Sequence, residues 1–168
     1  MEFGIAKCGI MGFGPGARAA LEEEQDSFKL QGKLVPVVSQ YKYLGVTIND
    51  MFEKEAICRE REFKGEKAYQ SLKALIWNLR LPSSFRVMLI KSVLVPTLTW
   101  ACELWGMQEA LSKFPQKVLD SAVKGLVRLR RSASHTGADV VALEFDIMSV
   151  HQMASAARTR AYFKYPLS

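Results

Sequence analysis

The stretch LPSSFRVMLIKSVLVPTLTWACELW, residues 81–105, decides how the larger part of this chain folds. Residues 81–84 contain a proline and two serines; they end one helix and begin the next, because a serine oxygen accepts hydrogen bonds from free first-turn amides. Residues 85–105 are apolar almost all round, which predicts a helix at the buried centre of a helical bundle. Pro96 removes one backbone hydrogen bond, so we expect this helix to bend there.

Amphipathic helices are predicted on both sides of that centre. The helix before it begins near Phe52, and its charged first part, residues 53–67, alternates in sign as a solvated face does. Its inward-facing residues follow helical spacing: Ala68, Leu72, Leu75, Ile76 and Leu79. The helix after it spans residues 108–131 and turns inward Leu111, Phe114, Val118, Ala122 and Leu126. A capping box, Ser149-x-x-Gln152, starts a last helix with Val150, Met153, Ala157 and Ala161 inward.

Residues 1–50 instead carry strand signals separated by Gly, Pro and Ser. The elements predicted there are strands at residues 3–11, 28–30, 34–38 and 43–48, a hairpin turn at residues 29–34 and a short helix at residues 17–25. The predicted fold class is therefore α+β, with a small antiparallel β-hairpin region over residues 1–50 and an all-α helical bundle over residues 51–168.

The charge is uneven along the chain. Lys and Arg number 23 against 17 Asp and Glu, which gives a formal net charge of +6. Residues 111–168 hold nine basic against four acidic residues, net +5, whereas residues 1–50 hold five against six, net −1. Positive charge concentrated in one region favours a polyanionic partner.

Five basic residues of the helix at residues 108–131 repeat at spacings that place them on one face. They are Lys113, Lys117, Lys124, Arg128 and Arg131, called the basic stripe below. Only Asp120 opposes them, and Arg158, Arg160 and Lys164 add charge on the next helix. A merely solvated surface also carries basic residues, but an extended track of one sign is what neutralising a nucleic-acid backbone requires.

Other chemistry finds little support in the sequence. The glycines of residues 12–16 imitate a dinucleotide-binding fingerprint, but a hairpin and helices follow where a βαβ array is needed. His135 and His151 have no carboxylate or cysteine at ligand spacing, so neither a metal nor any other cofactor is predicted. The longest apolar uncharged stretch, residues 92–102, is too short to cross a bilayer, so no membrane contact is predicted either.

The cysteines indicate a compartment. Cys8, Cys58 and Cys102 are odd in number and widely spaced, which does not suit a disulfide framework. A reducing, intracellular location is predicted, and the sequence does not distinguish nucleus from cytoplasm.

Five sequence motifs occur in a fixed order along the chain. They are FGIAKC at residues 3–8, FKLQG at 28–32 with YKYLGV at 41–46, KSVLVPTL at 91–98 with ELWG at 103–106, QK at 116–117, and EFDI at 144–147 before ARTR at 157–160. Together they resemble the end of the palm and the thumb of non-LTR retrotransposon reverse transcriptases. One departure is Trp100-Ala101, which stand where that family has Tyr-Gly.

The resemblance implies that residues 1–50 are a palm remnant with a primer-grip-like hairpin and residues 51–168 a thumb-like helical domain. In such enzymes the grip holds the primer end, and Tyr43, Leu44 and Gly45 are the positions that carry over. Lys7 matches a lysine that helps to protonate the leaving pyrophosphate. Nucleotidyl transfer needs metal ions held by clustered aspartates, but the sequence has no Asp-Asp pair. We therefore expect no enzyme activity.

The expected function is non-catalytic binding of RNA or a template–primer duplex through the basic stripe, Arg158 and Arg160. One alternative is a structural subunit of a larger ribonucleoprotein such as a ribosome, recruited from a retroelement and packed against other protein subunits. Another is complementation of a missing palm in trans. Phosphate contacts carry no information that separates RNA from DNA or from a hybrid.

Overall fold

The computed structural model describes residues 8–128 and 137–164. It is rich in helix and has two small antiparallel β-hairpins, which confirms the α+β fold class. The chain divides between Glu53 and Lys54 into two compact units. We call Met1–Glu53 the hairpin unit and Lys54–Ser168 the helical unit; the boundary predicted from the sequence lies three residues earlier.

Turn chemistry shapes the hairpin unit. Its elements are α1 (Ala17–Glu23), a 3₁₀ turn (Gln25–Ser27), β1 (Lys29–Leu30), β2 (Lys33–Leu34), β3 (Gln40–Tyr43) and β4 (Val46–Asn49). β1 pairs with β2 and β3 with β4, each through a two-residue turn. Gln31 and Gly32 have φ of 52° and 77°, and Leu44 and Gly45 have φ of 46° and 80°. Two successive left-handed residues are what the type I′ hairpin turn requires.

The strand predictions for this unit hold only in part. The helix predicted at residues 17–25 and the turn at residues 29–34 are confirmed. The single strand predicted at residues 43–48 is wrong, because the Leu44–Gly45 turn divides it into two paired strands. Of the strand predicted at residues 3–11, residues 3–7 lie outside the described part of the chain, and Ile10 forms only an isolated parallel bridge to Val37.

Helices make up the helical unit. They are α2 (Lys54–Ile76), α3 (Ser83–Leu89) continued by a π-helical segment (Ile90–Leu94) and α4 (Val95–Leu98), then α5 (Cys102–Trp105), α6 (Glu109–Leu126), α7 (Ala138–Glu144) and α8 (Val150–Lys164). Among the described residues, no helix is long and apolar enough to cross a bilayer.

Two packing relations set the directions of the long helices. Tyr69 Oη donates to Ser121 O at 3.2 Å, and further along both helices Arg128 Nε donates to Trp77 O at 3.1 Å, so α2 and α6 run in the same direction. The Val150 amide donates to Gln116 Oε1 at 2.7 Å. One turn later Ala154 packs against Gly106, which precedes α6. α8 therefore runs opposite to α6.

The central helix differs from its prediction. Ser83 begins α3 without a side-chain cap, and a π-helical turn, in which the Val95 amide donates to Ile90 O, comes directly before Pro96. This wider turn accommodates a proline that has no amide hydrogen to donate. The helix then ends at Leu98 instead of residue 105, since Ala101 adopts a left-handed backbone with φ of 56°.

The burial of this helix is also one-sided. Ile90, Leu94 and Leu98 are completely buried, whereas Met88 and Val93 are 52% and 42% exposed. The expectation of a helix buried all round is therefore wrong. Apolar residues on its outer side lie at the surface of the helical unit.

The inward face of α2 is only partly the one predicted: Ile76 is completely buried, as predicted. Leu75 and Leu79 are 41% and 52% exposed. The buried residues of α2 are Ile57, Cys58, Arg61, Gly65, Tyr69 and Ile76. Gly65 lies against Leu98 of α4 so closely that a side chain there has no room. Glycine has no side chain and therefore allows this close approach. Hydrophobic periodicity depends on apolar side chains, so it does not predict a contact made at a glycine.

The other helices follow their predictions more closely. Val118, Ala122 and Leu126 are buried on α6, although the helix ends at Leu126 and residues 129–131 lie outside the described part of the chain. The capping box of α8 is confirmed: the Gln152 amide donates to Ser149 Oγ at 3.2 Å, and the Ser149 amide to Gln152 Oε1 at 2.9 Å. On α8 the buried residues are Val150 and Ala154; Met153, Ala157 and Ala161 are half-buried.

Candidate nucleic-acid interface

The basic stripe lies on α6 and its C-terminal end, but its members have different surroundings. Lys113, Lys117 and Arg128 are exposed, and Lys124 is half-buried. Arg131 lies outside the described residues. Lys113, Lys117 and Lys124 therefore lie along α6, whereas Arg128 lies beyond its end, and the neighbouring helices determine how much of each side chain reaches solvent.

Lys117 is the member of the stripe that has a partner on α2. Its Nζ lies 3.8 Å from Glu62 Oε1 and 5.4 Å from the ring centroid of Phe114. The Arg59 guanidinium lies 4.6 Å from the same ring. Two cations from different helices therefore flank one aromatic ring at the junction of α2 and α6.

Arg128 holds the ends of two helices together. It has a left-handed backbone, with φ of 52°, and its Nε donates to Trp77 O, just beyond the end of α2. Beside it, buried Arg86 donates from Nη1 to Ile76 O at 3.3 Å and to Leu126 O at 2.7 Å, the last carbonyls of α2 and α6. Positive charge is favourable at helix C-termini. Arg128 therefore helps to connect the C-terminal ends of α2 and α6, in addition to any role in binding a partner.

Acidic groups interrupt the middle of the stripe. Lys124 and Asp120 both line a cavity of about 630 Å³ that α6 forms with α7 and the start of α8, and Asp139 lines its other side. Gln116 Nε2 donates to Asp120 Oδ1 at 2.7 Å. The stripe is thus less uniformly positive than the sequence alone indicates.

The basic residues of α8 have no acidic residue between them. The helix contains no Asp or Glu, and Arg158 and Arg160 are both exposed. Next to them, Tyr162 and Phe163 are 68% and 76% exposed, with ring centroids 5.6 Å apart in an edge-to-face arrangement. These two aromatic residues were missed in the sequence; their spacing on a basic helix was the signal that could have found them.

The primer-grip-like residues lie at the tip of the second hairpin. Tyr43 ends β3 and is 61% exposed, and Leu44 is 71% exposed. Leu44 also has a left-handed φ of 46°, a conformation that is unusual for a bulky residue. Gly45 follows at φ of 80°, a left-handed backbone in which a side chain would be strained. The hairpin thus presents two large side chains to solvent from a sharply turned backbone.

Charge separates the two units. The helical unit holds 18 Lys and Arg against 10 Asp and Glu, net +8, and the hairpin unit holds 5 against 7, net −2. A polyanion is therefore attracted by the helical unit and not by the hairpin unit as a whole.

The potentially reactive groups of the described residues include two buried thiols and the side chains that could bind a metal ion. Burial raises the pKa of Cys58 and of Cys102 to about 11, which leaves both as poor nucleophiles at neutral pH. In residues 8–128 and 137–164, no group of three or more His, Cys, Asp or Glu is placed to hold a metal ion. No protein-family model, curated protein or solved structure matches the chain.

Proposed function

We propose that this chain is a non-catalytic nucleic-acid-binding fragment of a reverse transcriptase-like protein, in which the helical unit contacts phosphates. The observation that carries the proposal is a set of exposed cations, Lys113 on α6 and Arg158 and Arg160 on α8, in a unit of net charge +8. None of the three has an ion-pair partner in the described part of the chain.

The three cations belong to the same end of the helical unit. α8 passes Gln116 at its first residue and Gly106 at Ala154, so Lys113 lies at the level of its first turns. Arg158 and Arg160 follow within the next two turns of α8. Phosphates along a strand bind such a set of unneutralised cations with release of counterions, which is the main source of sequence-independent affinity.

The motifs that resemble a thumb lie where the helices of this unit pack together, which supports the proposal. Leu94, Leu98 and Trp105 are completely buried. Gly106 gives Ala154 room to pack, and Gln116 accepts from the first amide of α8. In this proposal the residues of the motifs maintain the fold of the helical unit, and the exposed basic residues around them bind nucleic acid.

A pair of matched charge variants tests the proposal. Lys113, Arg158 and Arg160 are changed to Glu in one variant, and Lys29, Lys33 and Lys73 in a control that loses the same charge from exposed positions elsewhere. Fluorescence anisotropy with an RNA of about 12 nucleotides, close to the site size of small single-strand binding domains, measures affinity. We expect the first variant to lose at least about tenfold in affinity, since three phosphate contacts are removed.

The control variant is expected to retain most of the affinity. Equal losses in both variants would mean that only net charge matters, and the assignment to α6 and α8 would then be wrong. Circular dichroism checks that both variants remain folded. The chain alone is also expected to show no primer extension, since it has no paired aspartates to hold catalytic metal ions.

A structural subunit of a ribonucleoprotein is the second candidate, and exposed apolar residues favour it. Leu143, Val140 and Met148 are 82%, 55% and 54% exposed in and after α7. Exposed apolar groups that lie together are typical of protein interfaces. A native pull-down with and without nuclease separates the two functions, because protein partners that persist after nuclease treatment favour the subunit and partners that are lost favour direct RNA binding.

A further inference from the structure

A groove runs between α2 and α6 on the helical unit. Its volume is about 450 Å³. We call it the Phe63 groove, and its lining residues are Arg59, Glu62, Phe63, Glu66, Lys117, Val118 and Ser121. Apart from Phe63 and Val118, every one of them is polar or charged, so an apolar peptide or lipid chain does not suit it.

The ring of Phe63 is the one aromatic surface that lines this groove. The residue is 60% exposed, and Lys67 Nζ lies 4.3 Å from its ring centroid. A single exposed phenylalanine is common on protein surfaces. What distinguishes this one is that cations stand beside the ring and further along the groove, the combination that single-strand binding proteins use to stack a base and hold its phosphate.

Two cations lie together at the end of the groove next to Phe114. Arg59 and Lys117 both lie within 5.4 Å of the Phe114 ring centroid. Each now contacts a carboxylate, Arg59 that of Glu55 at 2.7 Å and Lys117 that of Glu62 at 3.8 Å. Ion pairs of this kind at the protein surface are weak. A doubly charged phosphate or a phosphodiester can therefore replace these carboxylates.

The carboxylates of Glu62 and Glu66 limit what enters the groove. The carboxylate of Glu66, about two turns beyond Arg59 on α2, repels phosphates from that part of the groove, whereas the carboxylate of Glu62 releases Lys117 when a phosphate binds. Both carboxylates accept hydrogen bonds from base N–H groups, such as the N4 amino group of cytosine or N3–H of uracil. The phosphate is therefore directed to Arg59 and Lys117, and the base to Phe63.

We propose that the Phe63 groove binds one nucleotide of an unpaired strand, with its base stacked on Phe63 and its phosphate held by Arg59 and Lys117. This inference rests on the proposed function and names its ligand more closely, as single-stranded and not duplex nucleic acid. Bases inside a duplex are already stacked on one another, and taking one out requires free energy that an unpaired strand does not spend.

Substitutions of Phe63 test the inference in the full chain. Phe63→Ala removes the stacking surface, and Phe63→Trp restores one that also reports by fluorescence. Phe13→Ala is the matched control, since Phe13 is also 60% exposed but lies in the hairpin unit. The probes are oligo(U) of about 12 nucleotides and an RNA duplex of equal length, both measured by anisotropy.

The expected result is specific to the single strand. Phe63→Ala should weaken oligo(U) binding roughly 5- to 100-fold, as loss of one stacked base does. Phe13→Ala should leave the affinity unchanged. Phe63→Trp should retain binding, and oligo(U) should quench more tryptophan fluorescence in it than in the wild type, which has three tryptophans elsewhere. Duplex affinity should be the same in all three variants.

Two results would overturn the inference, and they are distinguishable. If Phe63→Ala binds oligo(U) like the wild type while the Lys113, Arg158 and Arg160 variant loses affinity, the groove is not a base site and the proposed function stands. If the wild type binds neither probe, the proposed function fails together with the groove.

Discussion

The hairpin unit and the helical unit obtain their shapes in different ways. In the hairpin unit, Val35 and Val46 are the buried apolar residues among those described, and left-handed turns determine which strands pair. In the helical unit, completely buried side chains from α2, α4, α5, α6 and α8 meet in one core. Most of the buried apolar surface of the described residues therefore belongs to the helical unit, and so does most of the stability that this burial provides.

The two units also differ in what they offer to a partner. The helical unit is net positive and presents cations beside exposed aromatic rings. The hairpin unit is net negative and presents Tyr43 and Leu44 at a tight turn. If both contact one nucleic acid, the helical unit supplies the affinity and the hairpin supplies contacts that are largely apolar.

The largest effect is expected from truncating the core of the helical unit. Trp105 is completely buried, and its Nε1 donates to Trp100 O at 3.2 Å. Trp105→Ala should lower the free energy of unfolding by about 3–5 kcal/mol. Trp100→Ala is the control at a 52% exposed position, and chemical denaturation compares the two. A similar loss in both variants would contradict the core described here.

Arg86 provides the next largest effect. Arg86→Met keeps the aliphatic volume but leaves the buried carbonyls of Ile76 and Leu126 without this donor. The free energy of unfolding should fall by roughly 1–3 kcal/mol, the penalty of buried groups that lose their hydrogen bond. Arg80→Met, at an exposed position, should change it little. A neutral Arg86→Met would show that the helix ends do not need this joint.

A smaller effect, confined to the hairpin unit, is expected at Gly45. Its φ of 80° strains any residue with a side chain, so Gly45→Ala should destabilise the β3–β4 hairpin by about 1 kcal/mol. Leu44→Asn should stabilise it slightly, because Asn tolerates the left-handed backbone better. Hydrogen exchange of the amides in β3 and β4 measures both changes. Unchanged protection in both variants would contradict the turn assigned to these residues.

The smallest effect at neutral pH is expected from the thiols, and it appears only in alkali. Folding raises the pKa of Cys58 and Cys102 from 9.0 to about 11, so between these values the unfolded chain has lost protons that the folded chain retains. Stability should therefore fall as pH rises from about 9 to about 11 and be insensitive to these thiols below that range. A Cys58→Val, Cys102→Val double variant should show a shallower decline in denaturation midpoint; an equal decline would contradict the raised pKa values.

Much of this fold could be predicted because local signals and packing agree. The Ser149–Gln152 capping box, the Gln31–Gly32 turn and the inner face of α6 all follow from residue type and spacing. Each depends on neighbours within a few positions. Such local features can be predicted directly from residue type and spacing.

The failures share a different physical cause. Arg61 and Arg86 are buried, and Gly65 packs against Leu98. Charged residues and a glycine thus occupy core positions, which a pattern of apolar residues does not identify. Lys117 contacts Glu62 of α2, and Arg128 contacts Trp77 just beyond the end of α2; the spacing within α6 cannot reveal either contact. Phe63 was counted as part of a solvated face because the groove beside it exists only once α2 and α6 pack together.

The salt dependence of RNA binding shows whether the helical unit binds phosphates through Lys113, Arg158 and Arg160. For the full chain, the logarithm of the affinity for a single-stranded RNA should fall linearly with the logarithm of salt concentration, by about 0.7 for each phosphate contact. We expect a slope of about −2 or steeper for the wild type, and a clearly shallower one when Lys113, Arg158 and Arg160 are changed to Glu. Binding that is independent of salt, or a slope that these three substitutions leave unchanged, would contradict it.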